Sequence, residues 1–332
     1  MPLGYVLKTE EVLAYYGLER QDIAEALFRY GSERKVTMTD DPGTLGRGGG
    51  ETGFRSTDEI LNRAKQTLDG MEGKVPRRYP AFHGTLARYP AAGGIIKRGQ
   101  KGADVVFDID VKGNYKEAFK EGRKILDFLD SYNAPYRIKF SGGSGPHIII
   151  PYEAFPESLL NGRFDRVHSL LFKTISSRSR AGHIDGSFTS MGHFYRMPYS
   201  LNENSGMASL PLRREQYDDF TPSMAEISNV QVDEEWFKEP DEEAKEALTE
   251  IIRDGMGRRS KELSNVLRTS PDERRVPGLR NLQKQIEEHA KRLQMLTELQ
   301  APAKVIRMEK QMLREAENTL KKNRRSKDNG DD

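Results

Sequence analysis

The sequence predicts an α/β (α+β) body followed by an all-α extension, and three observations carry that expectation. Apolar and β-branched runs of strand length lie at 104–111, 136–140 and 148–150. An amphipathic stretch of helical period separates the first two, and a loop of small residues separates the last two, giving strand, helix, strand, loop, strand. Beyond about residue 235 the strand pattern stops and helical periodicity remains. With 332 residues the chain exceeds a typical single domain. The expected division is therefore 1–235 for the α/β body and 236–332 for a helical domain with a basic, disordered tail.

Taken in order, residues 8–35 read as two short helices around Gly17. The first carries Val12, Leu13, Tyr15 and Tyr16, the second Ile23, Ala24, Leu27, Phe28 and Tyr30. Three adjacent glycines, Gly48 to Gly50, make 42–50 a loop. Ser56 is placed to cap a helix running to about Leu68. Short strands and turns begin near residue 75. The helix expected at 115–132 sets Phe119, Ile125, Leu126 and Leu129 on one stripe. After Trp236 a helix is expected at 242–252, then a linker at 253–277. Leu279, Leu282, Ile286, Leu293 and Leu296 form one stripe, and Val305, Met308, Met312, Ala316 and Leu320 another, as in a helical hairpin.

Composition narrows the function. The formal net charge of +2 gives no global basic signature, so any nucleic-acid contact must come from local patches. Charged residues at 31% and hydrophobic ones at 36% describe a soluble chain. No stretch approaches the roughly 20 apolar residues that span a bilayer, so no membrane partner is expected. Residues 1–5 lack the basic and apolar regions of a signal peptide, which points to the cytoplasm. The absence of cysteine excludes disulfides, thiolate zinc sites and iron–sulfur clusters.

Three segments carry chemistry. In a strand, Val105, Phe107, Ile109 and Val111 face one way, which turns Asp108 and Asp110 together onto the other face. Carboxylates that close repel unless a cation sits between them, and oxygen-only ligation suits magnesium or manganese. The same pair also suits a solvated strand end before the turn Lys112-Gly113-Asn114. In the loop 141–147, Ser141, Gly142, Gly143, Ser144 and Gly145 let the backbone approach an anion, with His147 at its edge. An ordinary tight hairpin uses the same residues. The third segment joins Asp185, after Ile184, to Arg196 and Asn202, a second half for a metal–triphosphate pocket. Arg137, Lys139, Arg178, Arg180, Arg213 and Arg214 flank these segments as a template path or as solvated charges. His83 and His193 lie near them in sequence, whereas His168 and His289 sit on helices without a chemical neighbour.

In order and spacing these segments resemble the small catalytic subunit of archaeal and eukaryotic DNA primases, of the archaeo-eukaryotic primase superfamily. Its Asp-x-Asp strand matches Asp108 and Asp110, its Ser-Gly-x-x-Gly-x-His matches Ser141, Gly142, Gly145 and His147, and its apolar-Asp matches Ile184 and Asp185. Its basic residue, then Pro-aromatic-Ser-x-His and a Lys-Thr-Gly turn, is similar to Arg196, Pro198 to Asn202 and Asn204 to Gly206. A tyrosine-bearing helix leading to an Arg-Glu pair is similar to Tyr15-Tyr16 and Glu33-Arg34.

The resemblance covers about residues 8–215. It implies a primase-polymerase fold, with mixed sheets flanked by helices, that makes short primers de novo on single-stranded DNA. Two magnesium or manganese ions would be held by Asp108, Asp110 and Asp185. Ser141, Gly142, Gly143, Ser144, His147, Arg196 and Asn202 would bind the nucleoside triphosphate. The resemblance also implies a nucleoid or replicon association, and a primase large subunit or replication factor docking on the C-terminal helices.

The departures are Asn202 at the family's second histidine, Gly143 and Ser144 where many members are basic, and no cysteine for a zinc knuckle. These leave open a polymerase that extends primers or fills gaps in repair, a degenerate nucleic-acid-binding regulator, and a metal-dependent nuclease.

Overall fold

In the computed structural model, residues 6–38, 53–92, 95–96, 99–160 and 164–256 are described, with the isolated positions 293, 310, 313 and 314. The chain divides into two units, 1–268 and 269–332, and every element below belongs to the first. The glycine loop at 42–50 and the helical hairpin expected at 279–320 lie outside the described residues.

The two N-terminal helices, α1 (Thr9–Leu13) and α2 (Gln21–Gly31), are joined through Gly17 at φ +133°, a conformation that glycine tolerates and side chains do not. Their apolar residues are buried, including Val12, Ile23 and Leu27, as is Tyr16 in the segment 14–18 between them. Strand β1 (Val36–Met38) and helix α3 (Thr57–Thr67) follow, with Ser56 in extended conformation at the N-cap position. Strands β2 (Phe82–Thr85), β3 (Ala87–Arg88), β4 (Ala91–Ala92), β5 (Ile95–Ile96), β6 (Gly102–Ala103) and β7 (Val105–Asp108) come next. Helix α4 (Tyr115–Asp130) starts where the Asn114 side chain accepts the Glu117 N–H at 3.2 Å, and leads to β8 (Arg137–Phe140) and β9 (Pro146–Ile150). Helices α5 (Glu157–Leu160) and α6 (Phe164–Ser179), strands β10 (Phe194–Arg196) and β11 (Pro211–Leu212), and helices α7 (Arg214–Asp218) and α8 (Glu242–Met256) complete the unit.

Two sheets position the site. One has the order β11-β8-β9-β7, the other β1-β2-β10, and every direct pairing in both is antiparallel. Strands β7 and β8 run in the same direction, connected by α4, and β9 returns between them, a split βαβ. The register sets successive cross-strand rows on opposite faces. Phe107, Ile148 and Ile138 form a row facing the helices, where Phe107 stacks on Phe172 of α6 at 5.2 Å. The next row, Asp108, His147 and Lys139, faces the other sheet, where Tyr195 of β10 lies 6.0 Å from the His147 ring.

The first unit runs on past residue 235 because Trp236 is part of its core. Its indole N–H donates to the Ile138 carbonyl at 2.8 Å, and the Arg137 guanidinium covers its ring at 5.3 Å. Ala247, Leu248, Ile251 and Ile252 of α8 are buried as well. Among the described residues no helix is long and apolar enough to cross a membrane.

Candidate active site

Strand β7 ends at Asp108, and the chain continues through Ile109, which bridges Ile184 in antiparallel fashion. This bridge sets the third segment beside the first. The Asp185 N–H donates to the Asp108 carbonyl at 2.9 Å, and the Asp110 N–H donates to the His183 carbonyl at 3.2 Å. The apolar side chain of Ile109 is fully buried, whereas Asp110 and Asp185 are exposed and Asp108 lies between these extremes.

The Asp185 carboxylate is already engaged. Its oxygens accept the Ser187 N–H and the Ser187 hydroxyl, both at 2.8 Å, capping the short turn at Gly186–Thr189. The donor set has the oxygen chemistry that magnesium or manganese prefers. As placed, however, no three His, Asp or Glu side chains among the described residues converge as metal ligands.

Asp108 instead contacts His147. The two are direct partners across β7 and β9, with Oδ1 at 3.3 Å from Nε2. Burial would raise the Asp108 carboxyl, but His147, Lys139 and Arg196 outweigh it and hold it below the usual range. Burial, then Lys139, pushes His147 below its ordinary value, against the pull of Asp108. At neutral pH these shifts favour a carboxylate beside a neutral imidazole. His147 Nδ1 is buried with no protein partner.

Lys139, on the far side of His147, is fully buried. Its ammonium donates to Ser209 Oγ at 2.8 Å and lies 5.3 Å from the centre of the Tyr195 ring. Burial and then Arg196 drive its pKa well below the ordinary lysine value.

The small-residue loop is shaped by two glycines. Gly142 has φ +79°, and a Cβ there would come within 2.9 Å of the Met207 carbonyl. A Cβ on Gly145 would overlap the Ile109 carbonyl oxygen, so the loop lies directly on the acidic strand. Ser141 Oγ accepts the N–H groups of Gly143 and Gly145 at 3.2 and 3.4 Å, so in this arrangement it organises the loop itself. Gly143 and Ser144 are half-buried at its tip.

Arg196 and Asn202 hold the loop from the other side. Arg196 Nη1 donates to the Ser141 carbonyl at 2.8 Å, and the Ser205 hydroxyl donates to the Gly142 carbonyl. Asn202 Oδ1 accepts the N–H groups of Asn204 and Ser205 at 2.9 and 3.0 Å, a local turn. His83 pairs with Arg196 across β2 and β10, and burial followed by the Arg196 charge pushes it down to about 3. His193 packs on Phe188 at 4.4 Å, and His168 is buried with Nε2 2.9 Å from the Asp104 carbonyl oxygen.

Several side chains that the motifs do not contain complete the site. Glu203 forms an ion pair with Arg196, Ser209 holds Lys139, and Tyr195 lies between the two sheets. Glu203 had a signal in sequence, since it and Arg196 are the single acid and single base between Phe194 and Leu212. The flanking cations are largely committed elsewhere. Arg213 makes a bidentate pair with Asp233, Arg214 meets Asp127 and Asp130, and Arg137 meets Glu153.

No protein-family model matches the chain, and no curated protein matches it. Among solved structures, the polymerase domain of Mycobacterium tuberculosis ligase D, determined in complex with DNA, aligns with a TM-score of 0.46 at 17% identity. The alignment covers 75% of this chain and 91% of that one.

Proposed function

We propose that the chain is a nucleotidyltransferase acting on DNA, of the primase-superfamily type, that makes short primers on a single-stranded template. The observation supporting this reading is the convergence of three segments distant in sequence. Asp108 meets His147 at 3.3 Å, the Asp185 N–H meets the Asp108 carbonyl at 2.9 Å, and Arg196 meets the Ser141 carbonyl at 2.8 Å. In this reading the half-buried tip at Gly143 and Ser144, with Arg196 and His147 behind it, receives the triphosphate. Arg196 Nε and His147 Nδ1, both buried without a protein partner, are polar atoms that a ligand can satisfy. Fixed charge and hydrogen bonds held by two sheets suit phosphoryl transfer, which asks mainly for positioning and electrostatics. Divalent ions would supply charge neutralisation and nucleophile activation. The carboxylates as placed do not form their site, so no step is assigned to them.

The engaged Asp185 and the paired Arg196 favour a second reading, a nucleic-acid-binding protein without catalysis. Primer synthesis on unprimed single-stranded DNA, with magnesium or manganese, separates the two. Dinucleotides and longer products from wild type, absent from Asp108→Ala/Asp110→Ala, would establish the primase reading. Extension only of a supplied primer would point to a gap-filling polymerase. DNA binding retained by both proteins with no product from either would favour the regulator, and template degradation abolished by the substitutions would favour a nuclease.

A further inference from the structure

Arg196 carries a carboxylate partner in the loop wall. Its Nη2 pairs with Glu203, its Nη1 holds the Ser141 carbonyl, and its Nε is buried without a protein partner. Both members of the pair are largely buried, with side chains 11% and 17% exposed. Glu203 is fixed in place by its own backbone, whose carbonyl accepts the Tyr79 N–H at 2.9 Å, and a second cation, Arg78, lies 3.9 Å from its other oxygen. Burial alone would raise the Glu203 carboxyl, but Arg196, a hydrogen bond from its own backbone N–H and His83 together outweigh burial and hold it below the usual range. Apart from Arg78, the polar side chains near the loop bring little positive charge, because Asn202 is neutral and burial drives His83 and Lys139 towards their neutral forms.

We infer that Glu203 is an affinity-determining positioning residue that acts through Arg196: it aims the guanidinium at the 141–145 loop and cancels its charge, so that a polyphosphate competes with a built-in carboxylate. The inference rests on the nucleotide reading of this site and adds to it the residue that sets how much anionic charge the wall accepts. The planar fork of Arg196 makes the competition geometric as well as electrostatic, since a phosphate and a carboxylate seek the same donors.

The test is calorimetric titration of the full chain with two probes, inorganic tripolyphosphate without metal and dATP with magnesium. Glu203→Gln removes the charge and keeps the shape. Tripolyphosphate should bind Glu203→Gln more tightly than wild type by on the order of tenfold at low salt, with the gain shrinking at high salt. The gain should vanish in Glu203→Gln/Arg196→Gln. Glu203→Asp, which keeps the charge on a shorter arm, should lie between wild type and Glu203→Gln, and it decides the question if Glu203→Gln fails to fold. Unchanged or weaker anion binding by folded Glu203→Gln, as expected if Glu203 merely braces Arg196, would overturn the inference. The nucleotide probe reports separately. Tripolyphosphate tightening without any dATP binding would uphold the clamp and sink the nucleotide reading. Binding of dATP by both proteins with no tightening would do the reverse.

Discussion

Asp108 and His147 are direct partners across two central strands, and at neutral pH the carboxylate carries the charge while the imidazole is neutral. His83 and His168 are also held below the ordinary histidine value, chiefly by burial. The unfolded chain takes up protons at all three near pH 6.5, which the folded chain resists. Their contribution is thus fully present above that range and is lost as pH falls through it, for His83 down to about 3. The depressed Asp108 carboxyl acts lower, where stability is lost as pH falls from the ordinary aspartate range through its folded value. Thermal melts should show stability declining from pH 7 to pH 5, by at most ~1.4 kcal/mol per pH unit for each histidine. His83→Gln should flatten the slope; a profile with no slope in that window would contradict the burial of neutral histidines.

Gly145 is the tightest point between the loop and the acidic strand. A methyl group there meets the Ile109 carbonyl, which itself belongs to the backbone bridging Ile184 and cannot retreat alone. Gly145→Ala should destabilise the protein by about 1–3 kcal/mol or more, as overpacking does, and disturb the Asp108–Asp185 junction. Gly186, with nothing within 4 Å of an added Cβ, is the control. Urea denaturation of Gly145→Ala and Gly186→Ala should separate them clearly. Equal midpoints would show that the loop does not press on the strand.

This contrast also marks what could be read in the sequence. Alternation along 104–111 exposed the Asp108 and Asp110 pattern, and the stripe of Phe119, Ile125, Leu126 and Leu129 exposed α4, because both depend on local periodicity. The loop read correctly as glycine-dependent, yet Gly142 and Gly145 bear the constraint through contacts with Met207 and Ile109 that no local pattern encodes. Ser141 and Asn202 are polar residues in a binding-like motif, but here each closes its own turn. Arg213 and Arg214 read as free cations because their partners Asp233, Asp127 and Asp130 are distant or unpatterned in sequence. Side-chain pairing across elements is set by packing, and a single sequence does not display it.

Lys139 offers a stability test independent of catalysis. Its ammonium is fully buried with Ser209 as its hydrogen-bond partner, and its pKa lies well below the ordinary value. The depressed value means that the unfolded chain binds this proton more readily, so burial of Lys139 costs stability at neutral pH and less as pH rises towards the ordinary lysine value. Lys139→Met, of similar length and apolar, should maintain or raise the unfolding free energy at pH 7. Ser209→Ala removes the partner but keeps the amine and should cost about 1–3 kcal/mol. Chemical denaturation of the two variants checks the opposite signs; a large loss in Lys139→Met would mean that the buried amine is better satisfied than its single hydrogen bond indicates.

Asp104, immediately before β7, anchors the same strand from the opposite end. Its Oδ2 accepts from Arg34 at 2.5 Å and from the hydroxyls of Tyr30 and Tyr195, while Oδ1 accepts the Tyr152 N–H at 3.0 Å. Arg34 and Asp104 are both fully buried, and Arg34 also donates to the carbonyls of Tyr30, Thr85 and Leu86. Arg88 Nε lies 3.7 Å from Oδ1 as well, and a buried ionic network of this kind is expensive to break from one side, because a charge left with too few partners has no water to turn to. Asp104→Asn and Arg34→Met should each cost about 3–5 kcal/mol. The double variant should cost clearly less than the sum, since Arg34 and Asp104 are then both removed and Arg88 keeps Glu153 as its partner. Tyr195 links this network to the site, with its hydroxyl on Asp104 and its ring beside His147 and Lys139. Asp104→Asn should therefore weaken triphosphate binding even at temperatures where the protein remains folded. Additive losses in a denaturation cycle would show that the two charges are stabilised independently, and unaltered binding in folded Asp104→Asn would show that Tyr195 does not transmit the constraint.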